Sequence, residues 1–216
     1  MEIDYGCWFL TGKNWFWKEN ILNVLKEISK IDIGDNVCFQ YKNIDTIRQE
    51  DEYGGYNITF LGKLENIKEI ISIDLATGDP ITPSAIDYQY KCLFDNKVLD
   101  FKAYNFETIL AEKLQTILVR GTSNSRSKDF YDIYIIHKLR WDEINIKTLK
   151  EASANTCDYR DTHFTKDGAT KIAESINNNI QMKTRWNSYC LRNSYAKGID
   201  LSDTIKILLS VINEIF

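Results

Sequence analysis

Three charged residues lie where two predicted helices should be apolar. Lys113 follows Ile109 by four positions and precedes Ile117 by four, so its side chain leaves the apolar face of its helix. Asp129 and Asp132 lie three positions apart and share one flank of the next helix. A buried charge without a partner is strongly destabilising, so these groups must pair with each other or with a charged ligand. The pattern fits a structural salt bridge and a functional site equally well.

Acidic residues in two predicted strands form a second candidate group. Glu2 and Asp4 share one face of a strand predicted over residues 2–10, and Asp74 interrupts the β-branched strand predicted over residues 70–76. Mg²⁺ prefers a few protein carboxylates together with substrate phosphates. If the two strands are neighbours, these three acids predict a magnesium site. Acids near a chain start are also often simply solvated.

A basic and aromatic stretch without acidic residues covers residues 180–199. Cations interleaved with aromatic rings can follow a phosphate backbone while the rings stack on bases. Trp186 and Tyr189, three positions apart, are however more often residues of a helix core from which the cations reach outward. The stretch therefore predicts either RNA contact or a packed helix, with these candidate RNA contacts: Lys183, Arg185, Trp186 and Arg192.

The elements that must position these residues form a strand-rich first half and a helical second half, which predicts an α+β protein. Asn105 is predicted to cap the helix that carries Lys113, and Gly121 to end it. We expect an α/β lobe over residues 1–104 and a helical lobe over residues 105–216. Further strands are predicted over residues 37–48 and 56–64 and a strand or hairpin over 93–104; further helices are predicted over 20–29, 145–155, 166–177, 178–191 and 201–216.

Composition indicates a globular protein with an uneven charge. The 216 residues carry a net charge of −4. Residues 1–112 hold 11 Lys and Arg against 19 Asp and Glu, or −8, and the remainder carries +4. This asymmetry suits a metal-binding lobe beside a phosphate-binding lobe, and it equally suits two ordinary surfaces. Five cysteines without C-x-x-C spacing argue for reduced thiols in a cytoplasmic protein, and no apolar run approaches a membrane span.

Six stretches of the sequence are distinctive when taken together in their order and spacing. They are residues 53–56 (YGGY), 73–83 (IDLATGDPITP), 104–113 (YNFETILAEK), 120–134 (RGTSNSRSKDFYDIY), 186–189 (WNSY) and 195–197 (YAK). In these stretches the chain resembles the AbiEii/AbiGii-type nucleotidyltransferase toxins of bacterial toxin–antitoxin and abortive-infection systems. The resemblance runs over nearly the whole chain.

This resemblance implies a nucleotidyltransferase fold with a small mixed sheet, followed by a helical part. It implies transfer of a nucleotide from an NTP to RNA, notably tRNA, with release of pyrophosphate, and a cognate antitoxin. Glu2 and Asp4 fall at the D-x-D metal motif for Mg²⁺ or Mn²⁺, and Asp74 matches the third acid. Lys113 matches the lysine of the E-K motif and Asp129 the acid of K-D-x-Y-D, so the expected catalytic residues are Asp4, Asp74, Lys113 and Asp129. Lys113 would neutralise phosphate charge, and Asp129 would either hold Lys113 in place or assist as a base. The expected nucleotide-binding residues are Lys113, Arg126, Lys128 and Asp132.

The first motif of the family departs from this pattern. It begins with a Gly-Ser turn and an arginine upstream of the D-x-D, whereas Met1 stands directly before Glu2 here. Backbone amides at such a turn bind the triphosphate. The departure predicts an N-terminally truncated enzyme or, alternatively, an inactive nucleotidyltransferase-like module that binds RNA or an antitoxin.

Overall fold

The computed structural model describes residues 18–47, 55–76, 78–93 and 96–216. The chain divides into two compact units at Asp79/Pro80. We call the described residues before this boundary the sheet unit and those after it the helical unit. The strand predicted over residues 2–10, with Glu2 and Asp4, lies outside the described residues.

The sheet unit is a three-stranded antiparallel sheet with one helix. Its elements are α1 Lys18–Ile28, β1 Val37–Ile47, β2 Gly55–Leu64 and β3 Ile67–Ala76. The central strand is β2, paired with β1 on one side and β3 on the other. Ile21 of α1 packs with Ile44, Ile58 and Phe60 of the sheet, so one sheet face is apolar. Alternation along the strands places polar side chains on the other face.

The helical unit begins with an antiparallel hairpin and continues as six α-helices. One core of buried aliphatic and aromatic side chains joins these six helices. Short 3₁₀ turns lie at 121–123, 141–143 and 194–196. The elements are β4 Ile86–Lys91, β5 Val98–Ala103, α2 Phe106–Arg120, α3 Ser127–Arg140, α4 Ile146–Tyr159, α5 Lys166–Asn178, α6 Ile180–Arg192 and α7 Leu201–Ile215.

Hydrogen bonds around Thr82 explain why the hairpin groups with the helices, although the sequence assigned it to the α/β lobe. The Thr82 N–H donates to Oγ1 of Thr108 at 3.1 Å, and its carbonyl accepts from Nδ2 of Asn105 at 2.6 Å. Nδ2 of Asn155 donates to Oγ1 of Thr82 at 2.9 Å. The segment that leads into β4 is therefore fixed to the start of α2 and to α4.

The α+β class predicted from sequence is confirmed, as is the order of a sheet-containing part followed by a helical part. All strand pairings among the described residues are antiparallel. Of the strand or hairpin expected over residues 93–104, the structure forms a single strand, β5, which pairs with residues 86–91. Within the described part of the chain, no helix combines the length and apolarity needed to cross a lipid bilayer.

Candidate active site

Helices α2 and α3 present the first group of predicted residues. Oδ1 of Asn105 accepts a hydrogen bond from the backbone N–H of Thr108 at 2.8 Å and so caps α2. Gly121 ends α2 with φ of 49°, a conformation that favours glycine. Both predicted helix boundaries are confirmed, and between them Lys113 projects towards α3.

Lys113 contacts both predicted aspartates of α3. Its Nζ lies 2.6 Å from Oδ2 of Asp132 and 3.5 Å from Oδ1 of Asp129. Nε of Arg126 donates to Oδ2 of Asp129 at 3.0 Å, and Nζ of Lys128 lies 3.7 Å from Oδ2 of Asp132. We call these five residues the ion cluster. The two acids differ in their partners. Asp132 is the close partner of Lys113, whereas Asp129 is shared between Lys113 and Arg126.

The charged side chains of the ion cluster differ in how deeply they are buried. The side chains of Asp129 and Asp132 are 3% and 2% exposed, whereas those of Lys113, Lys128 and Arg126 are 16%, 35% and 58% exposed. The acids therefore lie beneath the cations. Three cations over two carboxylates leave one net positive charge at the surface. Such a surface, held in place by buried acids, can bind phosphate oxygens with charge-assisted hydrogen bonds.

The carboxylate of Asp132 is buried, so little solvent screens its negative charge from neighbouring groups. Its Oδ1 accepts no hydrogen bond within the described residues, so the charge is balanced by the nearby ammonium groups. Burial raises the pKa of Tyr189, and the hydrogen bond to Tyr195 and the negative charge of Asp132 raise it further. Burial also raises the pKa of Tyr131, whose ring lies 4.9 Å from that of Tyr195. Both shifts favour the protonated hydroxyl at neutral pH.

Hydrogen bonds hold the loop between α2 and α3 against α6. Nη1 of Arg185 donates to the carbonyls of Thr122 and Asn124 at 3.0 and 3.2 Å. Asn124 is 1% exposed, and its Oδ1 accepts from the backbone N–H of Arg126 at 2.9 Å. Arg185, predicted to contact RNA, instead uses this guanidinium nitrogen on the loop that carries Arg126. This contact could not be predicted from the sequence, because 61 positions separate Arg185 from Asn124.

Trp186 lies in the core, the alternative that its spacing from Tyr189 left open. It is 1% exposed, and its Nε1 donates to the carbonyl of Ile199 at 2.8 Å. A ring buried to this extent has no face open for a nucleobase, so Trp186 is not part of a nucleic-acid surface. Lys183 and Arg192 are exposed on α6.

Asp74 lies on the polar face of the sheet unit and is exposed. Its Oδ1 accepts a hydrogen bond from Nδ2 of Asn57 at 2.5 Å, and the same Nδ2 donates to Oγ of Ser72 at 2.6 Å. Sequence reasoning missed Asn57. The alternation of β2 marks position 57 as polar, but only the strand register sets it opposite Asp74.

The carboxylate of Asp74 has the chemistry that Mg²⁺ and Mn²⁺ prefer, and the hydroxyl of Ser72 beside it is another hard oxygen. Among the described residues, no three His, Cys, Asp or Glu side chains converge as a metal-binding group. The other two predicted metal ligands, Glu2 and Asp4, lie outside those residues. Asp74 is thus the part of the predicted metal site that the structure describes, and its donor chemistry fits the ion.

A family profile matches the chain over most of its length. The profile is described as the nucleotidyl transferase AbiEii toxin of type IV TA (toxin–antitoxin) systems, and it matches residues 3–199 of the 216. The chain belongs to the AbiEii toxin family. Every predicted site residue except Glu2 lies within the matched range.

Two solved structures resemble this AbiEii toxin in fold. The crystal structure of JHP933 from Helicobacter pylori is 12% identical, with a TM-score of 0.50, and the match covers 91% of this chain and 70% of that one. A proposed nucleotidyltransferase from H. pylori is 13% identical, with a TM-score of 0.49 and coverage of 91% and 72%. No curated protein matches the chain.

Membership of the AbiEii family makes the protein a nucleotidyltransferase toxin of a type IV TA system. The family implies a nucleoside triphosphate substrate and an antitoxin partner. Among the described residues, the ion cluster on α2 and α3 and the polar face around Asp74 are two groups whose side chains have suitable donor and charge chemistry.

Proposed function

We propose that this toxin transfers a nucleotide from an NTP to an RNA acceptor, tRNA in the first instance, and releases pyrophosphate. A hydroxyl oxygen of the RNA forms the new bond to the α-phosphorus while the bond to pyrophosphate breaks. The observation that carries the proposal is the ion cluster, in which two buried acids hold three cations at the surface. Phosphoryl and nucleotidyl transfer depend on positioning and on neutralising phosphate charge, which is what these cations supply.

The cations and acids of the ion cluster have separate roles in this proposal. Lys113, Arg126 and Lys128 bind the phosphates, and the least exposed of them, Lys113, neutralises charge that develops in the transition state. Asp132 holds the ammonium group of Lys113 at 2.6 Å. Asp129 orients Arg126 through a hydrogen bond of 3.0 Å. The acids therefore act by placing the cations, and the cations contact the substrate.

Asp74, with Glu2 and Asp4, would hold Mg²⁺ or Mn²⁺. Held there, such an ion would supply Lewis acidity for nucleotide transfer. For its part, Asp74 supplies a carboxylate whose Oδ1 is held by Asn57.

Lys183 and Arg192 are both exposed cations of α6, and the helix geometry favours Arg192 as the RNA contact. Arg192 follows Arg185 by seven positions, which is about two helical turns, so both leave the same side of α6. That side includes the contact of Arg185 with the loop that carries Arg126. Lys183 and Arg192 are nine positions apart, which places them on opposite sides of the helix. We therefore assign the RNA contact to Arg192 and use Lys183 as the matched control.

Arg192→Gln should weaken RNA binding, whereas Lys183→Gln should leave it nearly unchanged. Loss of one phosphate contact reduces the slope of log affinity against log salt by roughly 0.7–0.9. Fluorescence anisotropy with labelled tRNA between 50 and 200 mM salt, roughly the range over which such slopes are resolved, measures both variants. Equal slopes for Arg192→Gln and the wild type would remove Arg192 from the RNA surface.

The transfer itself is tested with the full chain, Mg²⁺ and total tRNA, offered each NTP in turn. A label on the α-phosphate should appear on RNA, whereas a label on the γ-phosphate should leave with pyrophosphate. Asp74→Asn should abolish the α-label transfer while leaving RNA affinity unchanged. RNA binding without transfer by the wild type would instead identify the chain as an inactive module that binds RNA. Antitoxin binding without either would identify a toxin-derived partner of the antitoxin.

A further inference from the structure

A hydrogen bond joins the side chains of Asn57 on β2 and Asp74 on β3. The register pairs Asn57 of β2 directly with Asp74 of β3, and Thr59 with Ser72. Nδ2 of Asn57 donates to Oδ1 of Asp74 at 2.5 Å and to Oγ of Ser72 at 2.6 Å. The two N–H donors of the carboxamide are thus both directed at polar side chains of β3.

We propose that Asn57 is a positioning residue for the Asp74 carboxylate in metal binding. The inference rests on the proposed function, in which Asp74 is a metal ligand. It adds a residue that donates to the ligand without touching the ion. Partners that hydrogen-bond a metal-ligating carboxylate fix its direction and tune its affinity for the metal.

The position of Asn57 makes its carboxamide a rigid support. β2 is paired on both sides, with Asp45 of β1 and Asp74 of β3 opposite Asn57, so the backbone at this position is held in two ladders. The contact of its Oδ1 with Oγ1 of Thr59, at 3.4 Å, lies on the side away from the donors. With Oδ1 of Asp74 held by Asn57, the rotation of the carboxylate is restricted, which lowers the entropy lost on metal binding.

A purely structural link between β2 and β3 is the competing explanation for the same hydrogen bond. The positioning role and the structural role predict different effects of excess metal on activity once the hydrogen bond is lost. A carboxylate that has lost its support still binds metal, with lower affinity, so saturating metal should restore the turnover number. A weakened sheet would lower thermal stability, and added metal would not restore activity.

Asn57→Leu tests the proposal, because leucine keeps the size and branching of asparagine and removes its donors. Asn43→Leu is the matched control. Nδ2 of Asn43 on β1 donates a hydrogen bond of 2.8 Å to a different carboxylate, that of Asp45 on the same strand. Mn²⁺ binding to the full chain is measured by electron paramagnetic resonance, and the turnover number is measured against metal concentration. Circular dichroism melting reports stability.

We expect Asn57→Leu to weaken Mn²⁺ binding by roughly tenfold, the lower end for such supporting residues, with the turnover number recovering at saturating metal. Asn43→Leu should bind Mn²⁺ as the wild type does. Unchanged Mn²⁺ affinity in Asn57→Leu, while Asp74→Asn loses the ion, would overturn the inference and leave the proposed function intact. Wild-type Mn²⁺ binding that is insensitive to Asp74→Asn would overturn both.

Discussion

Lys113→Met should abolish nucleotide transfer and the toxicity of the expressed protein. Methionine keeps the apolar length of the side chain but removes the ammonium group that lies 2.6 Å from Asp132. The variant should also unfold more easily, because removing one partner of a buried ion pair destabilises a protein by roughly 3–5 kcal/mol. Transfer of α-label and urea unfolding at the same temperature measure the two effects.

A double variant separates the two effects of Lys113. Lys113→Met with Asp132→Leu replaces the close ion pair by apolar groups, and such replacements are often neutral or stabilising. Asp129 keeps Arg126 as a partner at 3.0 Å in this background. We expect the double variant to recover the stability lost in Lys113→Met and to remain without transfer activity. Recovery of both stability and activity would show that the pair is only a structural salt bridge.

A surface pair provides the control for charge removal. Lys171 and Asp167 on α5 form an ion pair of 2.6 Å, with side chains 70% and 77% exposed. Lys171→Met should change stability by less than about 1 kcal/mol, because solvent screens exposed pairs. It should also leave transfer unchanged, since the pair lies outside the ion cluster.

The parts of the site that follow local rules could be predicted from the sequence. Asn105 and Gly121 bound α2 by capping chemistry, and helical spacing alone placed Lys113 on a face where it needs a partner. The choice of partner could not be predicted, because Asp129 and Asp132 share a flank and differ in distance to Lys113 only once α3 packs on α2. Periodicity identifies a face and not a contact.

Contacts between segments that are distant in the sequence could not be predicted for a related reason. Asn57 is polar in an alternating strand, as are many residues, and its bond to Asp74 depends on the register set by the β2–β3 turn. Arg185 belongs to a run of cations that indicated nucleic-acid contact, yet packing of α6 turns its guanidinium to the loop after α2. Charge patterns in sequence show where cations are, whereas packing decides which of them remain available to a ligand.

Trp186→Ala should be among the most destabilising single substitutions in the helical unit. The ring is 1% exposed, and truncation of a buried aromatic ring to alanine lowers the free energy of unfolding by roughly 3–5 kcal/mol. The change also leaves the carbonyl of Ile199 without the indole donor at 2.8 Å. Domains are stable by only about 5–15 kcal/mol, so the midpoint of urea unfolding should fall sharply.

Trp186→Leu distinguishes the core role from a role in stacking on RNA. Leucine retains apolar packing, so the variant should remain folded enough to assay at low temperature, although it lacks a ring. Loss of a base-stacking ring weakens binding by about 1–3 kcal/mol per base. The burial of Trp186 predicts instead that the folded variant binds tRNA with wild-type affinity and an unchanged salt slope. A tenfold loss of affinity in folded Trp186→Leu would mean that α6 releases the indole from the core to reach RNA.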